Sequence, residues 1–511
     1  MRCRPATLSA GLAVVVLLAG CTGGEAAEPG SRPGGSSDRG GTDSAPAATV
    51  SPPERSTVVA DGRTPGALSV AVSRQLFDTA PAVVVAAAAD SAGIATGAGQ
   101  AERLGVPLLL DDGDGTALAE EIGRLKPTTV LAAGREVASR LRVDGVEVVT
   151  DTGQVAASRP QNGLADVAVL VRSGGDAATR AGAAAATATA KAAGAAVVPL
   201  RGADPRADPA AIKALSATRP AHVLAAGAGF GPADRLASRV AVAATGAQLP
   251  GGGQVVLPGR RLVALYGHPG SPALGVLGEQ PVDAAIARAK RIAEPYRALS
   301  GSLPVVPAFE IIATVATAPP GPDGNFSFEA PISQLKPCVE KAGAAGLYVV
   351  LDLQPGRTDF LTQAKRYEPL LKLPYVGLAL DPEWRLKPGE KHLSQIGSVS
   401  AREINSVYGW LADLTAKNTL PQKLFVLHQF RLSMIGSDQP LARDRDEVAL
   451  LIHMDGQGPP GSKDETWRAV VGAAPKGVPF GWKNFYDEDV PMLSPAQTMI
   501  KRPAPVMISY Q

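Results

Sequence analysis

Cysteine is nearly absent from this 511-residue chain: Cys3, Cys21 and Cys338 are the only three, and none shows the paired spacing of a zinc site or a redox C-x-x-C motif. A structural metal and a disulfide framework are therefore not expected, and no motif calls for a cofactor. Basic clusters are lacking too. Net charge is +2 with 19% charged residues and no Lys/Arg block, which argues against nucleic acid or an anionic membrane surface as an electrostatic partner. Aromatic residues make up only 4% of the chain and are unevenly placed. All four Trp and all eight Tyr lie beyond residue 260, and of the Phe only Phe77 and Phe230 precede it. An Ala/Val/Gly-rich half thus meets, near 255–260, a half carrying the large amphipathic rings that line small-molecule and sugar sites.

Long apolar runs are also missing, apart from one short run at the start. Arg2 and Arg4 precede the run 12–18, followed by Ala19-Gly20-Cys21, the layout of a secretory signal too short to stay as a spanning helix. Leu18-Ala19-Gly20-Cys21 resembles the bacterial lipobox. That resemblance implies a signal peptide over 1–21, acylation at Cys21, and a lipoprotein held by its lipid on the outer face of the cell membrane. Residues 22–60 are Gly, Ser, Pro, Asp and Glu with almost no large apolar side chain, so a disordered tether is expected there. A flexible coil of that length reaches roughly 35 Å by the ~5–6 Å × √n rule.

Between 61 and 257 an order of segments occurs twice. Val83–Ala86 ending in Asp90, then Leu104-Gly105-Val106-Pro107-Leu108-Leu109-Leu110-Asp111, then Val130–Gly134 make the first copy. Val167–Val171 with Asp176, Ala193–Leu200 with Asp204, and Val223–Gly227 make the second. Short apolar runs alternating with Ala-rich helical stretches read as parallel strands with crossover helices, hence a duplicated Rossmann-like βα layer. The pattern resembles the type 2 cell-wall-binding repeats of Gram-positive surface proteins, which implies a wall polymer as partner. Asp90, Asp111, Asp176 and Asp204 end strands, where turn chemistry favours Asp in any case, and no site is assigned to them.

From 258 to 511 eight buried runs follow: 261–267, 305–314, 347–353, 375–381, 424–429, 448–455, 478–484 and 505–510. Helical segments fall between most of them over 282–299, 332–342, 358–371, 401–415 and 464–473, and the length suits a (β/α)₈ TIM barrel. The chain as a whole is α/β. Active sites of such barrels sit at the C-terminal ends of the strands. The polar residues there are His268, Glu310, Asp352, Asp381, Glu383, His428, Gln429, His453, Asp455, Lys483, Asn484, Tyr486, Asp487 and Tyr510.

The fourth run reads Gly377-Leu378-Ala379-Leu380-Asp381-Pro382-Glu383-Trp384. If extended geometry persists through Pro382, alternation turns both carboxylates toward the barrel mouth, where mutual repulsion raises one pKa toward the range of a general acid. The same tripeptide also fits a plain chain turn with an Asp cap. The segment resembles the "G-x-D-x-D-x-E" strand of chitinase-like glycoside hydrolases and the "L-D-x-E" of muramidase barrels. That resemblance makes Glu383 the proton donor and Asp381 the aspartate before it, with Ala379 in the place of the chitinase motif's first aspartate. Asp352, His428, Gln429, His453, Asp455, Asn484, Asp487, Glu310 and His268 are candidate substrate contacts. Trp384, Trp482, Tyr486 and Tyr510 are candidates for stacking on sugar rings. No H-x-H or H-E-x-x-H spacing supports a metal. The reading is an envelope lipoprotein with a glycan-directed barrel, and its alternative is a non-catalytic wall-binding or envelope-assembly protein.

Overall fold

The computed structural model describes residues 46–511 apart from Asp114, so the signal segment, Cys21 and the tether up to residue 45 lie outside the described residues. In the first half the strands are β1 (Thr49–Val50), β2 (Thr57–Ala60), β3 (Phe77–Thr79), β4 (Ala82–Ala87), β5 (Leu108–Asp111), β6 (Thr129–Ala133), β7 (Glu147–Val149), β8 (Val167–Arg172), β9 (Ala196–Leu200) and β10 (His222–Ala226). They form two four-stranded parallel sheets, ordered β5-β4-β6-β7 and β2-β10-β8-β9, while β1 pairs antiparallel with β3. In both sheets the first strand of a copy lies between its second and third. Continuous apolar runs are stable here because helices cover both faces. Ala is frequent where the helix Ala177–Ala192 is packed from two sides, with Ala181, Ala185 and Ala188 turned to one core and Ala186 and Ala190 to another.

The tether ends earlier than its composition suggests. Thr57–Ala60 is a strand running parallel to β10 with Val58 beside Leu224, and Thr49–Val50 pairs with β3. Four residues are too few to show a pattern; their hydrogen-bonding partner comes from more than 160 positions further along the chain. The strand-end aspartates of this half make local turns. Asp90 accepts from the Gly93 N–H at 2.9 Å, Asp111 from Gly113 at 3.0 Å, Asp176 from Thr179 at 2.8 Å and Asp204 from Arg206 at 3.0 Å.

The second half contains β11 (Arg261–Gly267), β12 (Val305–Ala316), β13 (Ser327–Glu329), β14 (Tyr348–Leu353), β15 (Val376–Leu380), β16 (Lys423–His428), β17 (Val448–Met454), β18 (Phe480–Asn484) and β19 (Met507–Tyr510). Apart from β13, a short antiparallel addition to β12, these strands are parallel, and β11 pairs with both β12 and β19, so the eight close into a barrel. All eight expected runs are barrel strands. Side chains alternate. Val263, Leu265, Phe309 and Ile311 face outward to the helices, while Leu262, Ala264, Val306, Ala308, Val350, Val426 and Leu451 fill the lower interior.

Ala45–Gln511 is one compact unit. Asp446 of the barrel receives Arg239 Nε at 2.6 Å and Arg235 Nε at 2.8 Å, and the Gln422 side chain accepts from the Val256 and Leu257 N–H groups at 3.0 and 3.3 Å. A pair of arginines on one helix thus grips a single aspartate of the other half.

Candidate active site

The alternation that fills the barrel base with aliphatic side chains continues upward, but there it brings polar groups. Two positions above the apolar layer the interior receives Tyr266, Glu310, Asp352, Asp381, His428, His453, Lys483 and Ser509, one from each of the eight strands or the residue just past it. Each is buried. They engage one another across the barrel rather than with neighbours on their own strands. Tyr266 donates its hydroxyl to Asp352 Oδ2 at 2.8 Å, and Gln354 Nε2 donates to Tyr266 at 3.3 Å. His428 lies between carboxylates, with Nε2 3.0 Å from Glu310 and 3.8 Å from Asp352 and Nδ1 3.1 Å from Asp455. The His453 ring meets that of His428 at 5.2 Å and places Nε2 2.7 Å from Ser509 Oγ. Gly481 makes room for the His453 ring: a β-carbon there would fall 1.9 Å from Nδ1.

Burial and charge then sort the protonation states. Burial alone would depress the imidazole of His428, but the carboxylates of Glu310 and Asp455 overcome it and hold the group well above its ordinary pKa. Burial and the His428 charge together push His453 well below. Asp455, which burial would raise, is drawn down by its contact with His428. Asp352 is raised to about 6 by burial, with Glu310 adding to the effect. The two imidazoles are thus held in opposite states, one cationic and one neutral, 5.2 Å apart.

Above this layer a cavity of about 360 Å³ opens at the C-terminal ends of the strands. Asp381, Glu383 and Asp455 line it together with Tyr266, Gln354, Lys483, Trp384, Phe430 and Phe485. The chain does not stay extended through Pro382. Strand β15 stops at Leu380 and Pro382–Trp384 is a single 3₁₀ turn, capped by Asp381, whose Oδ1 accepts from the Glu383 N–H at 3.2 Å. Pro suits the first position of such a turn because its missing N–H needs no partner. The turn brings both carboxyls to the same cavity by a route other than alternation. Burial, then Asp352, raises Asp381 well above the carboxylate range; burial, then Asp455, raises Glu383 to about 7. Near neutrality the cavity therefore carries a carboxylic acid, Glu383, that gives up its proton in the physiological range.

The expected site residues divide into two groups. Glu383, Asp381 and Asp455 line the cavity, and Asp352, Glu310, His428 and His453 form the layer behind it. Lys483 and Trp384 also line the cavity; the others are placed elsewhere. Trp482, Asn484 and Tyr510 point to the opposite face of their strands: Trp482 donates to Asn484 Oδ1 at 2.9 Å and packs on Trp467, and the Tyr510 hydroxyl meets that of Tyr296 at 2.6 Å. Gln429, just past the end of β16, is buried and does not line the cavity. Gly267, at φ 145°, bends the chain so that His268 leaves the barrel interior and meets the Ile312 carbonyl at 2.8 Å. Tyr486 is 39% exposed under Arg288, and Asp487 is exposed beside it. Of the four candidate stacking rings only Trp384 lines the cavity.

Tyr266, Gln354 and Ser509 belong to the layer without having been singled out, and Lys483 was only one of many polar groups at the rim. Period-two parity, counted upward from the apolar base, selects all four and rejects Trp482, Asn484, Gln429 and Tyr510. Among the described residues no group of His, Cys, Asp or Glu has the arrangement of a metal site. Comparison with protein-family models, with curated proteins and with solved structures finds no match to the chain.

Proposed function

We propose that the barrel acts on a glycan by general acid catalysis, with Glu383 donating its proton to the glycosidic oxygen. The observation that carries this reading is the shared placement of Asp381 and Glu383 in one cavity at the catalytic end of a (β/α)₈ barrel, over a buried layer of carboxylates and imidazoles. Asp381 caps the turn that aims Glu383, and its own raised pKa keeps negative charge away from the donor. Asp352 is held by Tyr266, which itself borders the cavity. A scaffold with no chemistry to perform has no reason to bury this many titratable groups at one rim.

The duplicated parallel layer over 61–257 serves in this reading as a Rossmann-like, wall-directed docking domain, in keeping with its likeness to cell-wall-binding repeats. The chain is held at the outer face of the membrane through an acylated Cys21; among the described residues no helix is long and apolar enough to cross a membrane. If so, Cys21→Ser moves the protein from the membrane to the soluble fraction, and a membrane-bound, fully processed variant refutes the anchor.

A second reading, a wall-binding or assembly protein without catalysis, draws on the aromatic lining of the cavity, Tyr266, Trp384, Phe430 and Phe485, on which a sugar could stack without being cleaved. One experiment separates the two. Purified full-length protein is assayed on peptidoglycan and other wall polysaccharides beside Glu383→Gln, which keeps shape and hydrogen bonding but not acidity. Hydrolysis lost in the variant supports the acid; hydrolysis retained refutes it, and none in either protein favours binding alone.

A further inference from the structure

We infer that the cavity takes a carboxylate-bearing sugar and that Lys483 receives the carboxylate, an inference that rests on the cavity being the glycan site. Lys483 projects inward from β18, borders the cavity and is only 3% exposed. Its ammonium sits 3.4 Å from the centroid of the Tyr266 ring and 5.2 Å from that of Phe485. Among the described residues it donates no hydrogen bond and forms no ion pair. Its charge reaches the carboxyls of Asp352, Glu383 and Asp455, but none of them is within ion-pair distance, and an aromatic face offsets only part of the cost of burying a cation.

A neighbouring buried lysine shows that this is not the default. Lys463 is 2% exposed, and its ammonium is fully engaged, donating to the Lys483 carbonyl at 2.7 Å and pairing with Asp489. Lys483 differs in one respect: it borders the cavity and makes no hydrogen bond of this kind. An anion arriving in the cavity completes the pair.

The lining restricts which anion. Among the described residues Lys483 is the one lysine or arginine lining the cavity, and Asp455, which also lines it, is held ionised by His428. One positive charge with an anion close by accommodates a monoanion; a phosphate dianion brings a second negative charge toward Asp455 with nothing to balance it. A volume of about 360 Å³ is at the small end of ligand pockets, suited to a terminal sugar rather than to a long polymer lying in a cleft.

The test is calorimetric titration of the full-length protein with three probes: glucuronate, its neutral counterpart glucuronamide, and glucose 6-phosphate. Glucuronate binds at least about tenfold more tightly than glucuronamide, and Lys483→Met removes that preference. Equal affinity for glucuronate and glucuronamide, tighter binding of the phosphate, or no binding of glucuronate overturns the inference. Should the Lys483→Met chain fail to fold, the three-probe comparison on the wild type decides alone. Binding is read without turnover, so the two readings fail separately. A protein that binds glucuronate and cleaves nothing refutes the hydrolase while this inference stands; one that cleaves neutral and acidic glycans equally well, with no preference in binding, does the reverse.

Discussion

Strand-end carboxylates occur in both halves of the molecule, and they are put to different use. In the parallel sheets, Asp90 and Asp176 each accept a backbone N–H three residues on, close the first turn of a helix and remain in contact with solvent. In the barrel, Asp381 makes the same kind of cap, to Glu383 N–H, yet it is 3% exposed and shares a cavity with two further carboxyls. Capping geometry alone therefore does not separate a turn residue from a site residue. What separates them is burial together with other ionisable groups. In water a cap lowers a carboxyl's pKa, as the Thr179 N–H does for Asp176; in the barrel mouth, burial and like charge raise it.

The difference is largest in activity. Glu383→Gln lowers hydrolysis by about 10²–10⁴-fold, the usual worth of a positioned general acid, whereas Asp90→Asn and Asp176→Asn leave the rate unchanged. Parallel rate measurements on the three variants check this, and an equal loss in all three erases the contrast. Stability comes next. His428→Ala leaves Glu310 and Asp455 buried without their cation and costs about 3–5 kcal/mol, while Asp90→Ala removes one helix cap for about 0.5–2 kcal/mol. Denaturant melts of the two variants give these values directly.

A smaller effect appears in the pH dependence of stability. The folded state holds the Glu383 proton up to about 7, the unfolded chain only to about the ordinary glutamate value of 4.5. The native protein thus binds more protons between those values, and its stability falls as pH rises through that window. Asp352, raised to about 6, acts with the same sign over a narrower span. Glu383→Gln flattens the slope when melts of variant and wild type are compared across pH 4 to 8, and an unaltered slope counts against a raised Glu383.

The barrel strands were legible because a strand covered on both faces shows as an uninterrupted apolar run, and runs such as Leu347–Leu353 or Val448–Asp455 have no other economical reading. The site was half legible. Position at a strand end picks out Glu310, Asp352 and His428, but by the same criterion it admits Trp482 and Asn484, which differ from Lys483 only in parity. Carrying the inward register of Leu262 and Ala264 two residues on leads to Tyr266, which the strand-end criterion passes over because Gly267 still continues the strand. The path of the chain after Leu380 was hidden, since Asp-Pro-Glu fits an extended end and a 3₁₀ turn alike. Strand β2 was hidden for another reason: Thr57–Ala60 becomes a strand only through pairing with His222–Ala226, and no local pattern carries that information.

The most direct test of the account is the titration of single carboxyl groups in the full-length protein, followed by carbon NMR with Glu383→Gln and Asp176→Asn used to assign the two signals. The account predicts that the Glu383 carboxyl titrates near 7 while that of Asp176 titrates below the ordinary aspartate range. Titration of Glu383 near the ordinary glutamate value of about 4.3 would contradict it, for the barrel mouth would then hold a carboxylate no different from any cap at a strand end.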